Sequence, residues 1–298
     1  MTAQEYGPRP EVGSEFYKGH GLGNDYLVFD EGEAWTASVS AVERVCHRWR
    51  GVGADGIVLL LRDRTEGLFR LRMFNPDGSE FERSGNGLRI LASYLARGGA
   101  VGAEPFTVEV GGDEVRMTVH GRSGALFDVS VEMGVSRTGP EAAGLDPAAL
   151  VSPGYMEGPG GTPLRVVPVS VGNPHLVVLV EEPTEGLLHE VGPFLATHPA
   201  LAAGANVQIA ASSGPASMRA LIWERGVGPT SASGTSSCAV AVAAVSAGLL
   251  PVGSIDVQME GGDLAVTVSP GGTVVLRGPV EEICDGELSA GFVSDLSA

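Results

Sequence analysis

Two serines stand where a turn gives way to an apolar helical run: Ser84 in "RSGNGLRILASYL" and Ser233 in "SASGTSSCAVAVAAV". They lie 149 residues apart. A serine so placed is a natural N-cap whose hydroxyl accepts a backbone N–H. The same geometry offers chemistry, because a helix N-terminus has free N–H groups and a partial positive charge that hold carboxylates and phosphates. Gly85, Asn86, Gly234 and Thr235 would expose those N–H groups. Two such termini could close on one small anion, leaving Ser84 and Ser233 on its opposite faces. Capping alone and a two-sided site are both open on this pattern. A phosphate cradle fits poorly, since neither "GNG" nor "GTS" belongs to a Walker sequence with its lysine or to a complete dinucleotide fingerprint.

The spacing of 149 recurs. "GNDYLVF" from Gly23 matches "GNPHLVV" from Gly172, and "VEVGGDEVRMTV" from Val108 matches "VQMEGGDLAVTV" from Val257, with a slip of one residue at the Gly-Gly-Asp. Three landmarks in one order imply an internal duplication. Alternating runs such as "FTVEV", "EVRMTV" and "LAVTV" are expected strands, and Leu88–Arg97 and Cys238–Leu249 are expected helices. The expected fold is α+β: two pseudo-symmetric domains, each a mixed or antiparallel sheet wrapped around a central helix, with the active site in the interdomain cleft. The expected boundaries are 1–134 and 135–282. Residues 1–14 read as a loose extension, and the tail 283–298 as a segment that returns to the first domain.

A chain of 298 residues is long enough for two such domains. Its net charge of −17, from 36 acids against 19 bases, argues against nucleic acid and anionic membranes as partners. Neither a signal peptide nor a run of 18 apolar residues is present, so a cytoplasmic location is expected. Cys46, Cys238 and Cys284 show no paired spacing, and Cys238 reads as a buried helix residue. Lys18 is the only lysine, and nothing near it resembles a phosphate cup. A pyridoxal-dependent mechanism, which needs a Schiff-base lysine, is therefore discounted. His20, His47, His120, His175, His189 and His198 have no metal-ligand spacing. No cofactor and no metal are expected.

Six stretches carry a family resemblance: "KGHGLGNDYLVFD", "RGVGADGIVLL", "FNPDGSEFERSGNGLRILA", "VGNPHLVVLV", "VGPFLATHPALAAGANVQIA" and "WERGVGPTSASGTSSCAVAVAAV". Their order and type resemble the diaminopimelate epimerases. The resemblance implies a cofactor-independent amino-acid epimerase of lysine biosynthesis, with two cysteines exchanging the α-proton from opposite faces, and a homodimer. The positions matching those cysteines are Ser84 and Ser233. It also implies His175 and Glu224 near the reacting centre, Asn24 at the reacting end, and Asn75, Asn173, Asn206 and Arg225 around the distal end of the substrate. A planar guanidinium such as that of Arg225 pairs a carboxylate in bidentate fashion.

Several departures bear on mechanism. A serine hydroxyl is a far weaker acid than a thiol and needs a neighbouring base, for which His175 and Glu224 are the candidates. Gly56 stands where the family has glutamine, and Pro229 where it has an acid. Three functions are consistent with this set: an amino-acid epimerase or racemase with serines at both thiol positions, a related proton-abstracting enzyme such as a hydroxy-amino-acid dehydratase, and a non-catalytic amino-acid-binding homologue.

Overall fold

The run "NDYLVFDE" holds four consecutive apolar residues, Tyr26 to Phe29, and in the computed structural model it forms the strand Asn24–Glu31 with Asp25 to Phe29 all buried. A strand apolar on both faces needs cover on both. Here the helix Gly85–Arg97 covers one side, and a cluster containing Leu27, Phe29, Trp35, Val42 and Val45 is built on the other. The structure describes residues 7–62, 67–81 and 83–296. They fall into two units, Met1–Val131 with Pro279–Ala298, and Glu132–Gly278.

In the first unit Glu11–Gly21 pairs antiparallel with Asn24–Glu31, which pairs parallel with Ile57–Leu60. Leu68–Phe74 follows antiparallel, Phe106–Val110 parallel, then Asp113–Ser123 and Leu126–Val135 antiparallel. The strand Thr273–Glu287 pairs with both Leu126–Val135 and Glu11–Gly21, which closes the ring. Helix Gly85–Arg97 runs through it, with ten of its residues, Gly85 to Ser93 and Leu95, buried. Such all-round burial is the mark of a central helix.

The second unit repeats the order. Pro163–Ser170, Pro174–Leu179, Asn206–Gly214, Ser217–Glu224, Gly253–Met259, Gly262–Val268 and Thr273–Glu287 pair successively as antiparallel, parallel, antiparallel, parallel, antiparallel and antiparallel. Its central helix, Gly234–Ser246, begins and ends 149 residues after Gly85–Arg97. A further helix lies outside each sheet, Val39–Cys46 in the first unit and Glu185–Ala196 in the second. The α+β expectation is met. No helix among the described residues is long and apolar enough to cross a membrane.

Several element boundaries differ from expectation. The loose extension ends before Glu11, because Val12 pairs with Glu31 and Trp35 and is buried; residues 1–6 of that extension lie outside the described residues. The central helices start earlier than expected, at Gly85 and Gly234, with glycines and small polar residues in the first turn, and the second ends at Ser246 rather than Leu249.

Candidate active site

Ser84 is an N-cap: it is extended at φ −130° and ψ 123°, and its Oγ accepts the Gly87 N–H at 3.1 Å. A Cβ on Gly87 would lie 2.9 Å from Met73 Cε, so the tip of that methionine would have to shift to admit one. Ser233 occupies the duplicate position at φ −152° and ψ 128°, yet makes no capping hydrogen bond. Its carbonyl accepts from Ser237 Oγ at 2.8 Å instead. Ser84→Ala should therefore cost about 1 kcal/mol, the usual worth of a cap, whereas Ser233→Ala should stay within about 0.5 kcal/mol. Urea midpoints of the two variants measure the difference.

In the first unit, polar residues form one continuous network behind the helix terminus. Asn24 Oδ1 accepts from Asn86 Nδ2 at 2.9 Å, and Asn24 Nδ2 donates to Asp55 Oδ2 at 2.9 Å. Arg89, wholly buried, donates to Asn86 Oδ1, to Gly85 O at 3.3 Å and to Pro279 O at 3.3 Å. Asp55 accepts from Arg48 at 2.5 Å, and Arg48 grips Asp25 with two bonds of 2.8 and 2.7 Å. Lys18 completes it, 3.0 Å from Asp25 and donating to Gly53 O at 2.6 Å. Burial alone would push the Asp25 carboxyl up, but bonds from Arg48 and Lys18 more than offset it and hold it below the ordinary value.

Asn75 lies apart from this network. Its Nδ2 donates to Ser79 Oγ at 2.9 Å, which ties it into its own turn. Gly56 has a packing reason, because a Cβ there would lie 2.5 Å from Tyr26 Cε1 and 2.8 Å from Phe74 O. The Tyr26 ring leaves no room for a longer side chain.

In the second unit, the parallel pairing of His175 with Asn206 brings several candidates together. Arg225 N donates to Asn206 Oδ1 at 2.9 Å, and Arg225 Nη1 donates to Ala203 O at 2.5 Å. Glu224 and Arg225 sit where the strand Ser217–Glu224 ends, with Pro229 exposed on the short strand Gly228–Thr230 beside Trp223. Gly234 is buried and Thr235 half-buried in the first helical turn.

His175 is the candidate base of this unit. It is wholly buried, its Nε2 lies 2.8 Å from Asn173 Oδ1, and its Nδ1 lies 3.1 Å from Gln208 Nε2. Burial pushes its pKa down to about 3. The folded protein therefore favours the neutral imidazole at pH 7. Its depressed value has a stability consequence with a definite sign. Between its ordinary 6.5 and about 3 the unfolded chain binds a proton that the folded protein refuses. Stability should thus fall as pH falls through that window, at up to about 1.4 kcal/mol per pH unit. Urea titrations at pH 7, 6 and 5 measure it, and His175→Phe should flatten the slope.

Two side chains of this unit, Gln208 and Ser236, carry no signal in the sequence beyond a polar residue in an apolar run. Gln208 is wholly buried and donates to Ser236 Oγ at 3.0 Å as well as meeting His175. Cys238 is buried four residues into the helix, as expected. No three of His, Cys, Asp and Glu gather as a metal-binding group among the described residues.

The fold has solved counterparts. A hydroxyproline epimerase from Agrobacterium vitis superposes with a TM-score of 0.62 at 16% identity, over 92% of this chain and 90% of that one. A phenazine biosynthesis protein from Bacillus anthracis gives 0.64 at 13%, over 92% and 98%. Curated sequences are more similar. A diaminopimelate epimerase from Desulforudis audaxviator is 39% identical over 278 residues, 92% of this chain and 98% of its own length. Diaminopimelate epimerase 2 of a Nostoc species is 36% identical over 280 residues, covering 92% and 95%. The diaminopimelate epimerase family model matches residues 16–138 and 167–283, and the chain belongs to that family.

Proposed function

We propose that the protein is a cofactor-independent amino-acid epimerase or racemase that exchanges the α-proton of diaminopimelate or a close relative. The observation that carries this reading is the repeated helix N-terminus, Ser84-Gly85-Asn86 and Ser233-Gly234-Thr235, set into two copies of one strand order. Each unit carries one such terminus. The N–H groups hold the α-carboxylate and stabilise the charge that develops on it when the α-proton leaves, as fixed donors do in an oxyanion hole.

The two serines stand at the proton-transfer positions with different freedom. Ser84 Oγ is engaged as a cap acceptor, whereas Ser233 makes no capping bond. A hydroxyl needs a partner to take the charge. With His175 held neutral, Glu224 remains as that partner. Asn24, Asn86, Asn173, Asn206 and Arg225 bind the amino acid, and Asn75 supports its turn.

Incubation with meso-diaminopimelate and a panel of other amino acids in deuterated water tests the reading. Deuterium at the α-carbon, followed by mass spectrometry, is the expected result. Calorimetric binding with no exchange would instead identify an amino-acid-binding protein without catalysis, and water loss from a β-hydroxylated amino acid would identify a dehydratase.

A further inference from the structure

The duplication supplies an internal control. Where the second unit gathers His175, Gln208 and Ser236, the first has Tyr26, Val58 and Gly87. His175 follows Tyr26 by 149 residues, and Ser236 follows Gly87 by the same spacing. Gln208 lies opposite Val177, and Val58 lies opposite Val28, in equivalent parallel pairs. The first-unit trio also touches: a Cβ on Gly87 would lie 3.3 Å from Val58 Cγ2 and 3.4 Å from Tyr26 Cδ1. The fold therefore fills this place in one copy with a tyrosine ring edge and a valine methyl. Nothing about the architecture demands glutamine in the other.

Keeping glutamine there is costly. Gln208 Oε1 is buried without a hydrogen-bond partner, which destabilises a protein relative to an apolar side chain of similar shape. The amide nitrogen, in contrast, is used twice, toward His175 Nδ1 at 3.1 Å and Ser236 Oγ at 3.0 Å. A donor held against Nδ1 places the imidazole proton on Nε2. That N–H then donates to Asn173 Oδ1 at 2.8 Å.

We infer that Gln208 is a positioning residue for the amino-acid ligand: it fixes the Nε2–H tautomer of His175, and His175 fixes the Asn173 amide with its NH2 group free for the ligand. Ser236 anchors the same glutamine to the first turn of Gly234–Ser246, so the helix terminus and Asn173 are held by one chain of hydrogen bonds. The inference rests on the reading of Asn173 as a ligand contact.

The test uses Gln208→Met, which keeps size and removes the polar atoms, and Ser236→Ala, which removes only the anchor. Nitrogen-15 spectra of the histidines in the free protein read the tautomer, and calorimetry with meso-diaminopimelate reads binding. The wild type should show His175 as a single neutral Nε2–H tautomer. Gln208→Met should give a mixture of tautomers and binding weaker by about fivefold, and Ser236→Ala a smaller change of the same kind. An Nδ1–H tautomer in the wild type would overturn the inference. So would an unchanged tautomer in Gln208→Met, or in Ser236→Ala should the first variant fail to fold. If meso-diaminopimelate binds no form of the protein, the substrate reading fails, while the spectra still decide the role of Gln208.

Discussion

Converting Ser84 and Ser233 together to cysteine should raise α-proton exchange into diaminopimelate by about 10²–10⁴-fold, the range that a well-matched acid–base pair contributes. A thiol at a helix N-terminus has its pKa lowered toward neutrality, while an alcohol in the same field remains protonated. The backbone N–H groups proposed to receive the carboxylate are present in both forms, so the expected gain is confined to proton transfer. Each single variant should recover only a small part, because inversion needs one group to remove the proton and another to deliver it. The two replacements differ in cost: Ser84→Cys weakens a cap that Ser84 makes to Gly87, and Ser233→Cys loses none. Initial rates of deuterium incorporation for the wild type, both single variants and the double variant measure the effect. A folded double variant that binds diaminopimelate but exchanges no faster than the wild type would show that more than the thiols has been lost.

The second large effect concerns stability. Asp25→Asn should destabilise the protein by about 3 kcal/mol, the lower end for breaking a buried ion pair. Asp25 is only 5% exposed and answers both Lys18 and Arg48. The lower end applies because Arg48 is half exposed and keeps Asp55 as a second partner. Asp55→Asn, at a far more exposed position, should cost less. The acid limb should change too. Because the Asp25 carboxyl is held below its ordinary 3.8, the stability it contributes is complete above about pH 4 and is lost as pH falls through the lowered value. The variant should lack that lowest part of the acid transition while keeping the part due to His175. Urea unfolding from pH 7 down to pH 3 separates the two.

Much of the architecture was legible because duplication leaves two copies of each signal. The serines before the glycines marked both helix caps, and the Gly-Asn turns marked the strands that follow. Gly85, Asn86 and Gly87 obscured the helix start because glycine and asparagine are weak helix formers. Only the packed structure shows that a Cβ on Gly87 would crowd Met73 and Val58. Val12 belongs to the sheet through partners at Glu31 and Trp35, a pairing that local composition cannot express. His175 shows the same limit at the site. Its residue type announced a titratable group, but its neutrality comes from burial, and its partner Gln208 lies 33 residues away and is adjacent only through strand register. The Lys18–Asp25–Arg48–Asp55–Asn24 network was hidden for the same reason, each member being an ordinary turn or strand residue in isolation.

The position of Lys18 gives the protein an unusual handle. Its side chain is 14% exposed, and its ammonium must leave both Asp25 and Gly53 O before the nitrogen can attack an electrophile. No other lysine competes for reagent. Acylation of this one side chain, told apart from that of the α-amine by peptide mapping, is thus a chemical clock for opening of the first unit that needs no engineered label.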